Sequence, residues 1–469
     1  MTMFKYFVAI AFALQLFVHD IQAANPLKYE IKIKVNGIKE KYVKLAYYFG
    51  NNTYLKDSAK ADNKGNIVFK GTETLDKGIY ILVLPNKNYF EFVVDNQFFS
   101  LETDTLDLTK NMKVKNSPEN VQFFDYLKFI AKKGKAIDSL SKIYNTEKDT
   151  KKDESEKTRA KIIELDKQVK DFRENYIKNN PTALMANVFN AMKEVDVPEP
   201  PILSNGRKDS LWQFKYYRAH FWDNFNFADD RLVRTPVYAP KLKRYIEELT
   251  LQSPDSVNKA SDFVLDKTKN SKDLFKFTLF WITYNYETSK LMGADGVFVH
   301  LAEQYYMKNK AYWLDSTQNA KIQEKALRLK PLLIGKIAPN ISMYDLKSQP
   351  ISLHDVKSKY TAVYFWDPDC GHCQKVTPVL KNKSDTLKTK GLTVFGVCME
   401  PDPVKVKTNV EKYKIENWTN VNDPYNTSGY RKFYDISSTP QLFLLNEKKE
   451  IIAKQITPEQ LEEIINNLK

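Results

Sequence analysis

Two of the protein's three cysteines, Cys370 and Cys373, stand in the stretch FWDPDCGHCQKVTP, separated by Gly371 and His372. Thiols at that spacing can supply half of a metal site, close a structural disulfide, or cycle between dithiol and disulfide. A closed zinc site needs four soft ligands, and the second pair is missing. Cys398 is alone, and His220, His300, His354 and His372 share no ligand spacing. A copper carrier would want a histidine downstream, and none follows His372. Neither a metal nor a cofactor is expected. A peroxidatic cysteine would have proline seven residues before it and Thr or Ser three before it; those places hold Val363 and Asp367. One short loop does not staple a chain of 469 residues, so the pair is read as chemical rather than structural.

Disulfide exchange makes four demands. A strand must lead into the pair, and TAVYFW does so. A helix must begin there, because its unpaired N–H groups and dipole stabilise a thiolate; CQKVTPVLKNK can supply it. Cys373 must reach Cys370, which two intervening residues in a first helical turn permit. Finally, a substrate chain must be held beside the sulfur, and Ser438-Thr439-Pro440, just before the strand QLFLLN, is the candidate. Cys398, in LTVFGVCM, shares a strand face with Val394 and reads as a buried, inert thiol, with a third redox thiol as the alternative.

The elements that must position this site follow from periodicity. Residues 25–112 read as a β-sandwich: in LKYEIKIKV, Tyr29, Ile31, Ile33 and Val35 alternate with charged residues, and further short strands follow between turn residues. From Ser117-Pro118 the period becomes helical, and 115–333 reads as a helical domain. Its stripe of Ile162, Leu165, Val169, Phe172 and Tyr176 marks a packed face, and prolines in VDVPEPP interrupt it. His300 stands among large apolar residues and reads as a packed histidine rather than a ligand. Residues 334–469 alternate strands with helices, which implies an α/β layer around a partly parallel sheet. The expected class is thus multidomain: sandwich, all-α region, α/β unit.

The N-terminus places a lysine, a short apolar run and small residues in the order of a secretory signal, taken as residues 1–23. No cysteine stands near the cleavage point, so the expectation is a periplasmic protein without a lipid anchor and without stable membrane insertion. The formal charge of +14 is spread among acidic residues rather than clustered, which argues for a solvated surface and against nucleic acid.

Residues 334–469 resemble the thioredoxin-fold domains of TlpA/ResA-type exported thiol–disulfide oxidoreductases, in the wider AhpC/TSA–thioredoxin superfamily. The motifs are WDPDCGHC after an apolar strand, Pro378 eight residues beyond Cys370, and Thr439-Pro440 at the place of the family's cis-proline. The resemblance implies Cys370 as nucleophile and Cys373 as resolving thiol, with Gly371, His372, Trp366, Thr439 and Pro440 in support. It also implies protein substrates carrying thiols or disulfides and a redox partner that recharges the pair. The preceding regions are similar to those of Bacteroidota proteins of this type, which carry no assigned activity. Two departures stand out. Tyr364 replaces the buried acid that thioredoxins carry two residues before the tryptophan, and His372 precedes the second cysteine, as in protein disulfide isomerases. By that analogy the potential should sit nearer about −180 mV than about −270 mV; the alternative is that His372 is an exposed loop residue. Two further readings stay open: a binding or assembly protein with an ancillary thioredoxin module, and front domains that select substrate or form a homo-oligomer.

Overall fold

The computed structural model describes residues 26–468; the expected signal segment lies outside them. The described residues divide into two compact units, one holding 26–48 with Asn52–Lys178 and Ala183–Met185, the other Phe49–Asn51, Asn179–Thr182 and 186–468.

In the first unit the alternation of Tyr29–Val35 becomes a strand, with Tyr29, Ile31, Ile33 and Val35 buried. The strands are β1 (Tyr29–Asn36), β2 (Tyr42–Phe49), β3 (Asn52–Lys60), β4 (Asn66–Gly71), β5 (Gly78–Val83), β6 (Tyr89–Val94), β7 (Phe98–Asp104) and β8 (Lys113–Lys115). They form two four-stranded sheets, ordered β4-β1-β7-β8 and β3-β2-β5-β6. The last strand lies beyond the boundary expected at residue 112, because Lys113-Val114-Lys115 pairs antiparallel with β7. The expected helix start is realised: Ser117 caps α1 (Pro118–Glu147), with proline in its first turn. This helix and α2 (Lys152–Asn179) belong to the sheet-bearing unit, so the helical region expected over 115–333 is shared between the two units. The apolar stripe of α2 meets α1, where Phe172 stacks on Phe129 with ring centroids 4.7 Å apart. Asn120 ties α1 to the sheets. Its side chain accepts from the Val93 amide at 2.8 Å and donates to the Val93 carbonyl at 2.7 Å, all of it buried.

The second unit contains α3 (Leu184–Ala191, whose first two residues belong to the other unit), α4 (Trp212–His220), α5 (Tyr238–Lys243), α6 (Pro254–Thr268), α7 (Lys272–Glu287), α8 (Ala294–Leu301) and α9 (Ser316–Leu329). Aromatic residues fill its interior: Trp222, Phe225 and Tyr238 are all buried and in mutual ring contact. His300 is satisfied by Asp262 at 2.9 Å, in keeping with the packed reading. No described helix is long and apolar enough to cross a membrane.

The α/β region follows in the same unit. Its strands are β9 (Ser342–Asp345), β10 (Pro350–Ser352), β11 (Tyr360–Trp366), β12 (Leu392–Cys398), β13 (Thr419–Asn422), β14 (Gln441–Asn446) and β15 (Ile451–Lys454). They form one seven-stranded sheet, ordered β10-β9-β13-β12-β11-β14-β15. The interior strand β11 is parallel to β12, antiparallel to β14, and buried at every residue. Helices α10 (Gly371–Leu387), α11 (Pro403–Tyr413) and α13 (Pro458–Asn467) cover one face with Leu380, Val406, Val410 and Leu461; the short α12 (Tyr430–Phe433) lies on the other with Tyr430. The outer edge of β15 is closed by the incoming segment, since Gly335 donates to Ile451 and Ile451 to Lys336, each at 2.8 Å. Two ion pairs then fix the helices to this region. Buried Lys454 reaches Asp295 of α8 and donates to the Leu332 carbonyl at 2.7 Å, and Arg328 of α9 meets Asp435 at 3.1 Å.

Replacing Asn120 with Ala leaves the buried Val93 amide and carbonyl without partners. A loss of about 2–3 kcal/mol is expected in equilibrium urea unfolding, and a change below about 0.5 kcal/mol would show that water or a shift of the helix satisfies them.

Candidate functional site

The site is made where β11 ends. Its buried apolar residues carry the chain through the middle of the sheet and release it at Asp367-Pro368-Asp369. There Asp367 turns the backbone: its side chain accepts from the Asp369 amide at 2.9 Å and its carbonyl from the Cys370 amide at 3.1 Å. Gln374 holds the turn from the helix side, donating to the Pro368 carbonyl at 2.9 Å. Cys370 is the N-cap of α10, and its sulfur accepts from the Cys373 amide at 3.4 Å. A thiolate here occupies the place usually taken by a capping oxygen.

The two sulfurs lie in different surroundings. Cys370 is half-buried and Cys373 is 1% exposed, while Gly371 and His372 between them face solvent. All three cysteines are free thiols. Partial burial alone would raise the Cys370 pKa, but hydrogen bonds from the Cys373 amide and with the Thr439 side chain outweigh it and bring the value below that of an ordinary thiol. Cys373 shows the reverse. Burial pushes it up to about 11, against a hydrogen bond from the Asp367 amide at 3.5 Å. Cys398 is driven further, to about 12, again by burial.

Across from the helix, Thr439-Pro440 is a cis peptide bond, and the Thr439 carbonyl lies 3.5 Å from the Cys370 sulfur. Beside it opens a groove of about 320 Å³ lined by His372, Val376, Ser438, Pro440 and Gln455, among others. The structure thus brings Cys370, Gly371, His372, Cys373, Thr439 and Pro440 together. Trp366 differs in kind: it has no exposed surface, and it packs beneath the site with Tyr364 and Cys373, edge-on to Tyr413. It supports the site from the core and touches nothing outside. Residue 372 reaches the Cys370 sulfur through its backbone amide.

Two contributors escape sequence reasoning. Asp367 acts through its amide, which no residue pattern reports. Thr377 donates to the Cys373 carbonyl at 2.8 Å and meets the Tyr364 hydroxyl at 3.0 Å. Its spacing of one helical turn from Cys373 was the available signal. Among the described residues no group of three or more His, Cys, Asp or Glu side chains converges as a metal site.

A strand that delivers a half-exposed thiol to a helix N-terminus, with a second thiol one turn on and a cis-proline opposite, defines a thioredoxin-fold unit. Residues 334–454 match the AhpC/TSA family, and residues 29–123 and 144–330 match two domains of unknown function, DUF4369 and DUF5106. The thiol–disulfide oxidoreductase ResA of Bacillus cereus is 29% identical over 132 residues, covering 28% of this chain and 75% of that protein. Among solved structures, a domain of a possible thiol-disulfide isomerase from Cytophaga hutchinsonii is 39% identical, covers 29% of this chain and 92% of its own, and gives a TM-score of 0.28. A thiol:disulfide interchange protein from Bacteroides sp. is 30% identical, covering 29% and 92%, with a TM-score of 0.27. The chain belongs to the TlpA/ResA-like thioredoxin-fold family, with extra domains N-terminal to the family unit, and is a thiol–disulfide oxidoreductase.

The pKa order predicts the order of alkylation in the reduced, folded protein. A lowered value places the Cys370 thiolate at lower pH, so iodoacetamide near neutrality should modify Cys370 first. Cys373 should follow only as the pH approaches 11, and Cys398 only near 12 or on unfolding. Mass mapping of labelled peptides reads the order; simultaneous labelling of all three below pH 9 would contradict it.

Proposed function

We propose that this protein is an exported oxidoreductase that exchanges disulfides with protein clients through the Cys370-Gly371-His372-Cys373 dithiol. The observation that carries the reading is the placement of the Cys370 sulfur, half-exposed at a helix N-cap and 3.5 Å from the carbonyl that precedes Pro440. The Cys370 thiolate attacks one sulfur of a client disulfide. A Cys370–client bond forms, the client S–S bond breaks, and the other client sulfur leaves as a thiolate. Cys373 then loses its proton and attacks the Cys370 sulfur. The Cys370–Cys373 bond forms and the second client thiolate is released, so two electrons pass from the dithiol to the client. Run backward, the same steps oxidise a client dithiol, and a second thiol protein recharges the pair in either direction. Thr439 and Pro440 hold the client chain beside the sulfur, Gly371 and His372 leave it open to approach, and Trp366 firms the floor. Export follows from the signal-like order of residues 1–23.

The test is a pair of variants assayed by reduction of insulin disulfides. Cys370→Ser should fall to the uncatalysed background. Cys373→Ser should attack but not resolve, accumulating client mixed disulfides visible on non-reducing gels. Exchange surviving in Cys370→Ser would refute the assignment of the nucleophile.

A further inference from the structure

The groove beside Pro440 does not stop at the edge of the thioredoxin-fold region. Gln441 and Gln455 line it, and the same two residues line a second cavity of about 180 Å³. The far side of that second cavity is built by the helices: Tyr286 and Glu287 from the end of α7, then Ser289, Leu291 and Met292 from the loop that leads into α8. This wall is held in place. The Lys454–Asp295 and Arg328–Asp435 pairs bind α8 and α9 to the strand end and loop that carry the rest of the lining.

The lining also has a definite chemistry. Its carboxylates are already neutralised: Glu287 by Lys325 at 2.8 Å, Asp295 by Lys454, and Asp435 by Arg328. No unspent charge faces the cavity from these groups, so a charged client residue would lose hydration and gain no counter-ion. The loop tip, by contrast, presents apolar surface to water. Leu291 is 58% exposed and Met292 is 50% exposed, on a protein whose neighbouring loop residues Ser289 and Lys290 are polar. Methionine is the apolar side chain best suited to adapt to varied partners. Gln441 and Gln455 offer amide donors and acceptors along the route between the two cavities.

We propose that an extended client segment, leaving Cys370 past Pro440, runs along Gln441 and Gln455 and places an uncharged apolar side chain against Leu291 and Met292. The helical region thereby selects among disulfide clients, as the distal wall of the same groove. The inference rests on the exchange reading above and adds a substrate class to it: peptide chains with an apolar residue close to the reacting cysteine.

Full-length protein and synthetic peptides test it. Each peptide carries one mixed disulfide and either Leu or Asp at a position within about four residues of the cysteine, about 13 Å of extended chain. At one or two positions Leu should exceed Asp by roughly fivefold or more in kcat/KM, carried by KM, as expected for partial burial of one apolar side chain. That preference should collapse towards unity in Leu291→Gln/Met292→Gln and in Leu291→Glu/Met292→Glu. Both pairs change exposed residues, and the first keeps their size. A preference that survives both pairs, or no preference at any position in the wild type, overturns the wall. Failure of the wild type to exchange with any peptide, or retained exchange in Cys370→Ser, overturns instead the exchange reading on which the wall depends.

Discussion

Everything at this site depends on a difference in solvation between two sulfurs separated by one helical turn. The helix starts at the surface and descends over the sheet, so its cap residue stays in contact with water while the residue three positions on is already in the core. Cys370 therefore meets the orphan amides of the helix start, which favour its anion. Cys373 lies against Tyr364, Trp366 and Leu380, where charge is expensive. One backbone geometry lowers the pKa of one thiol and raises that of the other without any charged side chain being needed to tell them apart. The sheet sets that geometry: a strand buried along its whole length can end only where its neighbours end, and β11 ends with β12 beside it and Pro440 leading into β14.

How much of this was legible in the sequence follows from how local each cause is. The strand and helix flanking the cysteines, the Ser117 cap and the alternation in β1 are set by residue type at short spacing, and they appear where the residues place them. The placement of the two cysteines at the start of a helix was legible for the same reason. Less could be read where the cause is tertiary. The sharing of the helices between two units depends on long-range contacts, such as that of Asn120 with Val93, and an asparagine in a helix does not announce a partner strand 27 positions back. Nothing in the sequence sets Lys454 apart from the other lysines; only the fold shows it buried against Asp295 and the Leu332 carbonyl. The full burial of Trp366 beneath the cysteines could not be judged from a motif alone.

Tyr364, at the position where the resemblance implies a buried acid, has a consequence for proton movement. Thr377 donates its hydroxyl hydrogen to the Cys373 carbonyl, so it can only accept from the Tyr364 hydroxyl, whose hydrogen is thereby committed. Burial raises the phenol's pKa, so it is neutral at working pH and is no base. The groups hydrogen-bonded to the two sulfurs include the Asp367, His372 and Cys373 amides, the Thr439 side chain and the Thr439 carbonyl; among the described residues no carboxylate joins them. In the exchange proposed above, the Cys373 proton must then pass to water or to the client sulfur that leaves. The second route needs no separate base, because the departing thiolate is itself a base created at the moment the proton has to move. In that exchange, resolution is coupled to the client's own leaving group.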